Sequence, residues 1–206
     1  MPFDPNLHHR RSIRIPGYDY SRPGGYFVTL VTHRRACLFG EVDRDKVNLN
    51  ALGEIVFQEW FRSAEIRKEI SLFEDEFIVM PNHVHGIVWM VDDPVGADGV
   101  RPGCPAEDTP IHPQPLAVNK MGAHRASLQR TPRSLSSLIA GYKASVTSRA
   151  RRELGLENIW QRNFYEHILR TDEDAHRIYL YIQDNPFRWA DDEENPLAHP
   201  GPKNGT

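Results

Sequence analysis

The chain has 206 residues, with 25 Lys and Arg set against 28 Asp and Glu for a formal net charge of −3, and 39% of its residues are hydrophobic. That length suits one domain, or one domain with a long insertion, and the charge argues against a generic nucleic-acid coat. No stretch is long and apolar enough to span a bilayer, Met1 to Arg11 lacks a signal-peptide core, and Cys37 and Cys104 are isolated with no Cys-x-x-Cys, so a reducing cytoplasm is the expected compartment.

Residues 1–23 are polar and basic, with His8-His9-Arg10-Arg11 and Arg14, and read as an arm. Gly24-Gly25 opens a first strand, Tyr26 to Thr32, rich in β-branched and aromatic residues. Asn48 is placed to cap a helix running to about Arg67, with Leu49, Leu52, Val56 and Trp60 near one stripe. Phe73 to Met80 and His83 to Val91 read as a β-hairpin reversing at Pro81-Asn82. Residues 92–132 are dense in Pro, Gly, Asp and Ala without a period, and a disordered insertion is expected there. Helical period returns at Ser134, with Leu135, Leu138, Ile139, Tyr142 and Val146 on one side and Gly155 as a stop. A fourth strand, about Phe164 to Leu169, precedes Thr171-Asp172-Glu173-Asp174, a capped and acidic helix start. That helix runs to about Asn185, where Pro186 limits it. Residues 24–190 thus form one domain, and 191–206 a polar tail.

The expected fold is α+β: a ferredoxin-like (RRM-like) β-α-β-β-α-β arrangement, with an antiparallel four-stranded sheet, two helices on one face, and a further C-terminal helix. The third strand is central in that topology. The open face is left for the last helix or for a ligand.

Charge is unevenly spread. From Thr109 to Arg152 there is no Asp or Glu, while Lys143, Arg149, Arg151 and Arg152 fall within that span. A locally basic segment can track a phosphate backbone, although a solvated helix face reads the same way. Within the apolar hairpin, His83 and His85 are one residue apart and so point to one face, where neutral imidazoles can share a divalent metal; two satisfied polar residues at a strand end are the plainer alternative. On the last helix Arg177, Tyr181 and Asn185 lie in one line at i, i+4 steps. Laid across the open face, that helix would offer Asn185 as an oxygen ligand and Tyr181 as a phenol beside the metal. A tyrosine can attack a phosphodiester when a divalent cation neutralises the phosphate oxygens. Tyr179 lies off this line. Trp160, Trp189 and Tyr165 are candidates either for stacking unpaired bases or for core packing.

Pro81-Asn82-His83-Val84-His85-Gly86, Ile159 to His167, and Tyr181-Ile182-Gln183-Asp184-Asn185-Pro186 together resemble the single-tyrosine HUH transposases, and within them the REP-associated tyrosine transposases. The resemblance implies that His83, His85 and Asn185 bind Mg²⁺ or Mn²⁺ and that Tyr181 is the nucleophile. It also implies an enzyme, monomer or homodimer, that cleaves and rejoins single-stranded DNA near hairpins through a 5′-phosphotyrosine. Arg177, Lys143, Arg149, Arg151, Arg152 and Arg162 are the candidate DNA contacts. Two other readings stay open: a domesticated hairpin-binding protein that no longer cuts, and a metal-dependent nuclease that uses water.

Overall fold

The computed structural model describes residues 18–91, 133–192, 195, 196 and 198. The expected insertion at 92–132 and most of the expected arm lie outside them. Tyr18 and Tyr20, inside the stretch read as arm, pack against the core. Among the described residues no helix is long and apolar enough to cross a membrane.

The first strand is β1 (Gly24–Val31). It is followed by a feature that sequence reasoning missed, a small hairpin of β2 (Gly40–Asp43) and β3 (Lys46–Leu49). Its two-residue turn places Arg44 and Asp45 at φ 47° and 63°. Such turns are usually signalled by Asn or Gly, and neither stands here. Because β3 uses Asn48, the helix cap moves to Asn50, whose side chain accepts from the amides of Leu52 and Gly53, both at 3.0 Å. Helix α1 (Ala51–Ile66) follows.

A short strand that sequence reasoning did not include, β4 (Ile70–Ser71), comes next. After it a 3-10 turn at Glu74–Glu76 shortens the strand expected over Phe73 to Met80 to β5 (Phe77–Val79). The acidic run Glu74-Asp75-Glu76 is poor strand material. The turn carries Glu76 inward, where its Oε2 accepts from the buried Trp89 indole N–H at 2.6 Å. Strand β6 (His83–Met90) then returns, with the Met80 amide donating to the His83 carbonyl at 2.8 Å across Pro81-Asn82.

Helix α2 (Leu135–Leu154) is capped by Ser134 and stopped by Gly155 at φ 69°, where a side chain would be strained. Strand β7 (Tyr165–Leu169) and helix α3 (Asp172–Asp184), capped by Thr171, complete the fold. Sheet order is β4-β6-β1-β7, with β5 also on β6, and every pairing is antiparallel. The fold is mixed α+β, and β6 is central within the sheet.

The two faces of the sheet differ in depth. Helices α1 and α2 cover one, where Tyr26, Val28, Leu30, Val84 and Val88 meet Trp60, Tyr142 and Val146. The other face is thinner: Phe27, Ile87, Trp89 and Leu169 meet Ile182 of α3, with Ala175 and Ile178 partly buried. Each fully buried large aliphatic side chain contributes about 1.5–3 kcal/mol, so most of the stability lies on the α1/α2 side.

Gly86 lets α1 sit close to the sheet. A Cβ there would stand 2.7 Å from Trp60 Cζ2 and 2.9 Å from Phe77 Cδ2. Gly86→Ala is therefore expected to cost about 1–3 kcal/mol, read as a lower urea midpoint with an unchanged slope.

Candidate functional site: two histidines, a tyrosine and an asparagine

Alternation along β6 sends Val84, Gly86 and Val88 toward α1 and α2, and His83, His85, Ile87 and Trp89 toward α3. The two imidazoles are 0% and 3% exposed, with ring centroids 4.5 Å apart. Each has one ring nitrogen occupied. His83 Nδ1 donates to Asn82 Oδ1 at 2.9 Å, while Asn82 Nδ2 donates to the Arg35 carbonyl at 3.1 Å. His85 Nδ1 lies 2.9 Å from Thr29 Oγ1, on the paired position of β1. Both Nε2 atoms are thereby left for other uses, and among the described residues His83 Nε2 is buried with no hydrogen-bond partner.

Helix α3 crosses this face. Tyr181, 40% exposed, holds its hydroxyl 3.4 Å from His85 Nε2. One turn on, Asn185 is 1% exposed, its carboxamide lies beside His83, and its Oδ1 is buried without a hydrogen bond. Asn185 ends α3 in the α conformation despite preceding Pro186, and the chain tightens into a 3-10 turn over Pro186–Asp191. That turn brings the Trp189 ring to 6.0 Å from the His83 ring and the Asp192 carboxylate into electrostatic range of it.

Burial pushes both imidazoles below their ordinary titration range. At His83 burial is the largest cause, opposed by Asp192 and Asn185 and reinforced by Arg35; at His85 the neighbouring His83 adds to burial. Both rings are therefore neutral near pH 7, the form in which imidazole binds metal. Among the described residues no three of His, Cys, Asp and Glu come together as a metal-binding group. The donor set is instead two imidazole nitrogens and one carboxamide oxygen. The partnerless His83 Nε2 and Asn185 Oδ1 fit a divalent ion, and Asn82 and Thr29 contact the other ring nitrogens as outer partners do where histidines bind metal.

The candidate DNA contacts scatter. Arg177 pairs with Asp174, which also holds His167 Nε2 at 2.8 Å. Arg162 is exposed on the loop where the Gln161 amide bonds to the Val31 carbonyl, at the His83 end of β1. The rest lie on α2, across the sheet from the histidines. Arg149 bonds to Glu59, Gln58 and Glu153, Arg151 to Glu157, and Arg152 to Glu153. Lys143 is an internal clasp: its ammonium donates to the carbonyls of Gln161 and Asn163 at 2.8 and 2.9 Å, and burial pushes it down to about 8. Thr29, Asn82 and Asp192 escaped sequence reasoning as site residues, and Trp189 was considered only for base stacking or core packing. Asn82 carried a signal, its place beside His83 in the motif, but was given no role beyond the turn.

No protein-family model matches the chain. It is 34% identical over 191 residues to an uncharacterized protein of Haemophilus influenzae (strain ATCC 51907 / DSM 11121 / KW20 / Rd), covering 93% of this chain and 96% of that one. The chain belongs to the same family as that protein. Among solved structures it is similar to a REP-associated tyrosine transposase bound to a REP hairpin, with a TM-score of 0.50 and 20% identity over 82% of this chain and 70% of the other. The two share a fold.

Because both imidazoles titrate below the ordinary value of 6.5 when folded, the unfolded chain binds more protons as the solution turns acidic, and stability is lost. Thermal melts should hold level above that pH and decline below it. The double variant His83→Gln/His85→Gln should show a shallower decline.

Proposed function

We propose that this protein is a metal-dependent tyrosine transposase that cleaves and rejoins single-stranded DNA near a hairpin, on a ferredoxin-like frame. The observation that carries the reading is the convergence of the Tyr181 hydroxyl, His85 Nε2, His83 Nε2 and Asn185 Oδ1 on one face of the sheet. The shared fold with a transposase bound to hairpin DNA supports the substrate class.

In this reading the phenol oxygen of Tyr181 attacks the scissile phosphorus. The phenol gives up its proton as a P–O bond to tyrosine forms, the P–O3′ bond breaks, and the leaving 3′ oxygen takes up one proton, so the step is proton-neutral and gives a 5′-phosphotyrosine and a free 3′-OH. The reverse reaction with a new 3′-OH rejoins the strand, so no nucleotide cofactor is needed. His83, His85 and Asn185 would hold Mg²⁺ or Mn²⁺, which when bound neutralises charge on the phosphate oxygens. Asn82 keeps the His83 Nε2 lone pair directed into the site, and Thr29 orients the His85 ring. Arg162 and Arg177 are the basic residues that this reading assigns to the DNA backbone. Lys143, Arg149, Arg151 and Arg152 serve better as links within the protein, since they stand on α2, across the sheet from the histidines, and are engaged there by carbonyls or carboxylates.

Incubation with Mn²⁺ and a hairpin oligonucleotide carrying single-stranded flanks should give a covalent adduct on a denaturing gel. Tyr181→Phe should abolish it, and Tyr179→Phe should not. Tight hairpin binding with no adduct under any metal would point to a binding protein instead. Release of a free 5′-phosphate by the Tyr181→Phe variant would point to a water-using nuclease.

Metal binding has its own readout. Mn²⁺ titration followed by electron paramagnetic resonance should show a site that is lost in His83→Ala and His85→Ala. Asn82→Ala and Thr29→Val should weaken it by roughly 10–100-fold.

A further inference from the structure

The three aromatic residues that stood as candidates for base stacking are separated by their surroundings. Trp160 is spent in the core: its ring lies 5.2 Å from Phe39 and 5.8 Å from Tyr142, with the Lys143 ammonium 5.7 Å from its centre. Trp189 is half-buried against His83. Tyr165 is different. It is 45% exposed on β7, the strand at the end of the sheet order.

Its position follows from register. Tyr165 pairs with Thr29, and Thr29 pairs on its other side with His85, so the three share one face in a row across the sheet. Beside that row, two residues along β1 on the same face, Phe27 is buried. Its ring lies 5.3 Å from His85, 6.0 Å from Tyr181 and 6.3 Å from Tyr165. Two half-exposed phenol rings therefore flank one buried ring, and one of them is Tyr181. The next residue of β7 on that face, His167, joins Asp174 and through it Arg177.

We propose that Tyr165 is a base-stacking residue, taking the face of an unpaired nucleobase that flanks the phosphate presented to Tyr181. The inference rests on the proposed function for its ligand and extends it to a residue outside the metal and nucleophile set. A surface tyrosine on an edge strand needs no ligand, since aromatic residues favour strands. Its packing against the same buried ring as Tyr181 and His85 is what that plainer account leaves unexplained. Stacking has no strict base preference, because every base offers a π face, so Tyr165 would contribute affinity and local strand geometry more than sequence choice.

The probe is a hairpin oligonucleotide with a thymidine flank carrying a single 2-aminopurine, moved one position at a time away from the stem. The Tyr181→Phe background prevents cutting. At one flank position 2-aminopurine fluorescence should be quenched on binding. Tyr165→Leu should remove that quench and weaken binding by roughly tenfold, while Tyr165→Phe should keep both. Circular dichroism identifies any variant that fails to fold, and the leucine variant preserves an apolar strand residue if alanine does not. A quench and affinity unchanged in Tyr165→Leu would overturn the stacking role, leaving adduct formation by Tyr181 intact. Absence of any binding to the probe by the parent chain would instead overturn the proposed function, and this inference with it.

Discussion

Strand β6 is buried along its whole length, and its two faces carry different duties. Val84, Gly86 and Val88 close the core beneath α1 and α2, and the residues between them build the site. Side chains alternate with a period of two, so a slip of one residue would exchange histidines for valines. The chemistry is thus pinned by packing on the far side of the sheet. Trp60 and Phe77 close against Gly86 and leave β6 no room to shift toward the helices.

Placing imidazoles on a buried strand has an electrostatic result. Burial makes a charged ring costly, and a neutral ring is the one with a lone pair to offer. Asn82 then decides which His83 nitrogen offers it, while Thr29 holds the orientation of the His85 ring. Asn82 reaches further than one ring, since its Nδ2 holds the Arg35 carbonyl and its own carbonyl accepts the Thr32 amide at 2.8 Å. The turn at His33–Arg35, with Arg34 and Arg35 at φ 58° and 56°, is in this way tied to the orientation of His83.

What could be read in the sequence was local. The alternation that puts His83 and His85 together, the helix start at Ser134, the cap at Thr171, the stop at Gly155 and the line from Arg177 to Asn185 all depend on neighbours a few residues apart. What could not be read depends on pairing across the chain. Thr29 and His85 are 56 residues apart and meet only because β1 and β6 take one register. Lys143 looked like a surface cation because its helix stripe is visible in sequence, whereas the loop carbonyls that it holds are not. The β2–β3 hairpin was hidden by a turn built from Arg44 and Asp45.

The tyrosine and the histidines are not equally well anchored. β6 is fixed from both faces, but α3 sends only Ile182 and the paired Asp174 into full burial. Amide hydrogens of α3 should exchange through a local opening of lower free energy than that of the central strands. Tyr181 then belongs to a different cooperative unit from His83 and His85, and it can lift from His85 while the sheet stays folded.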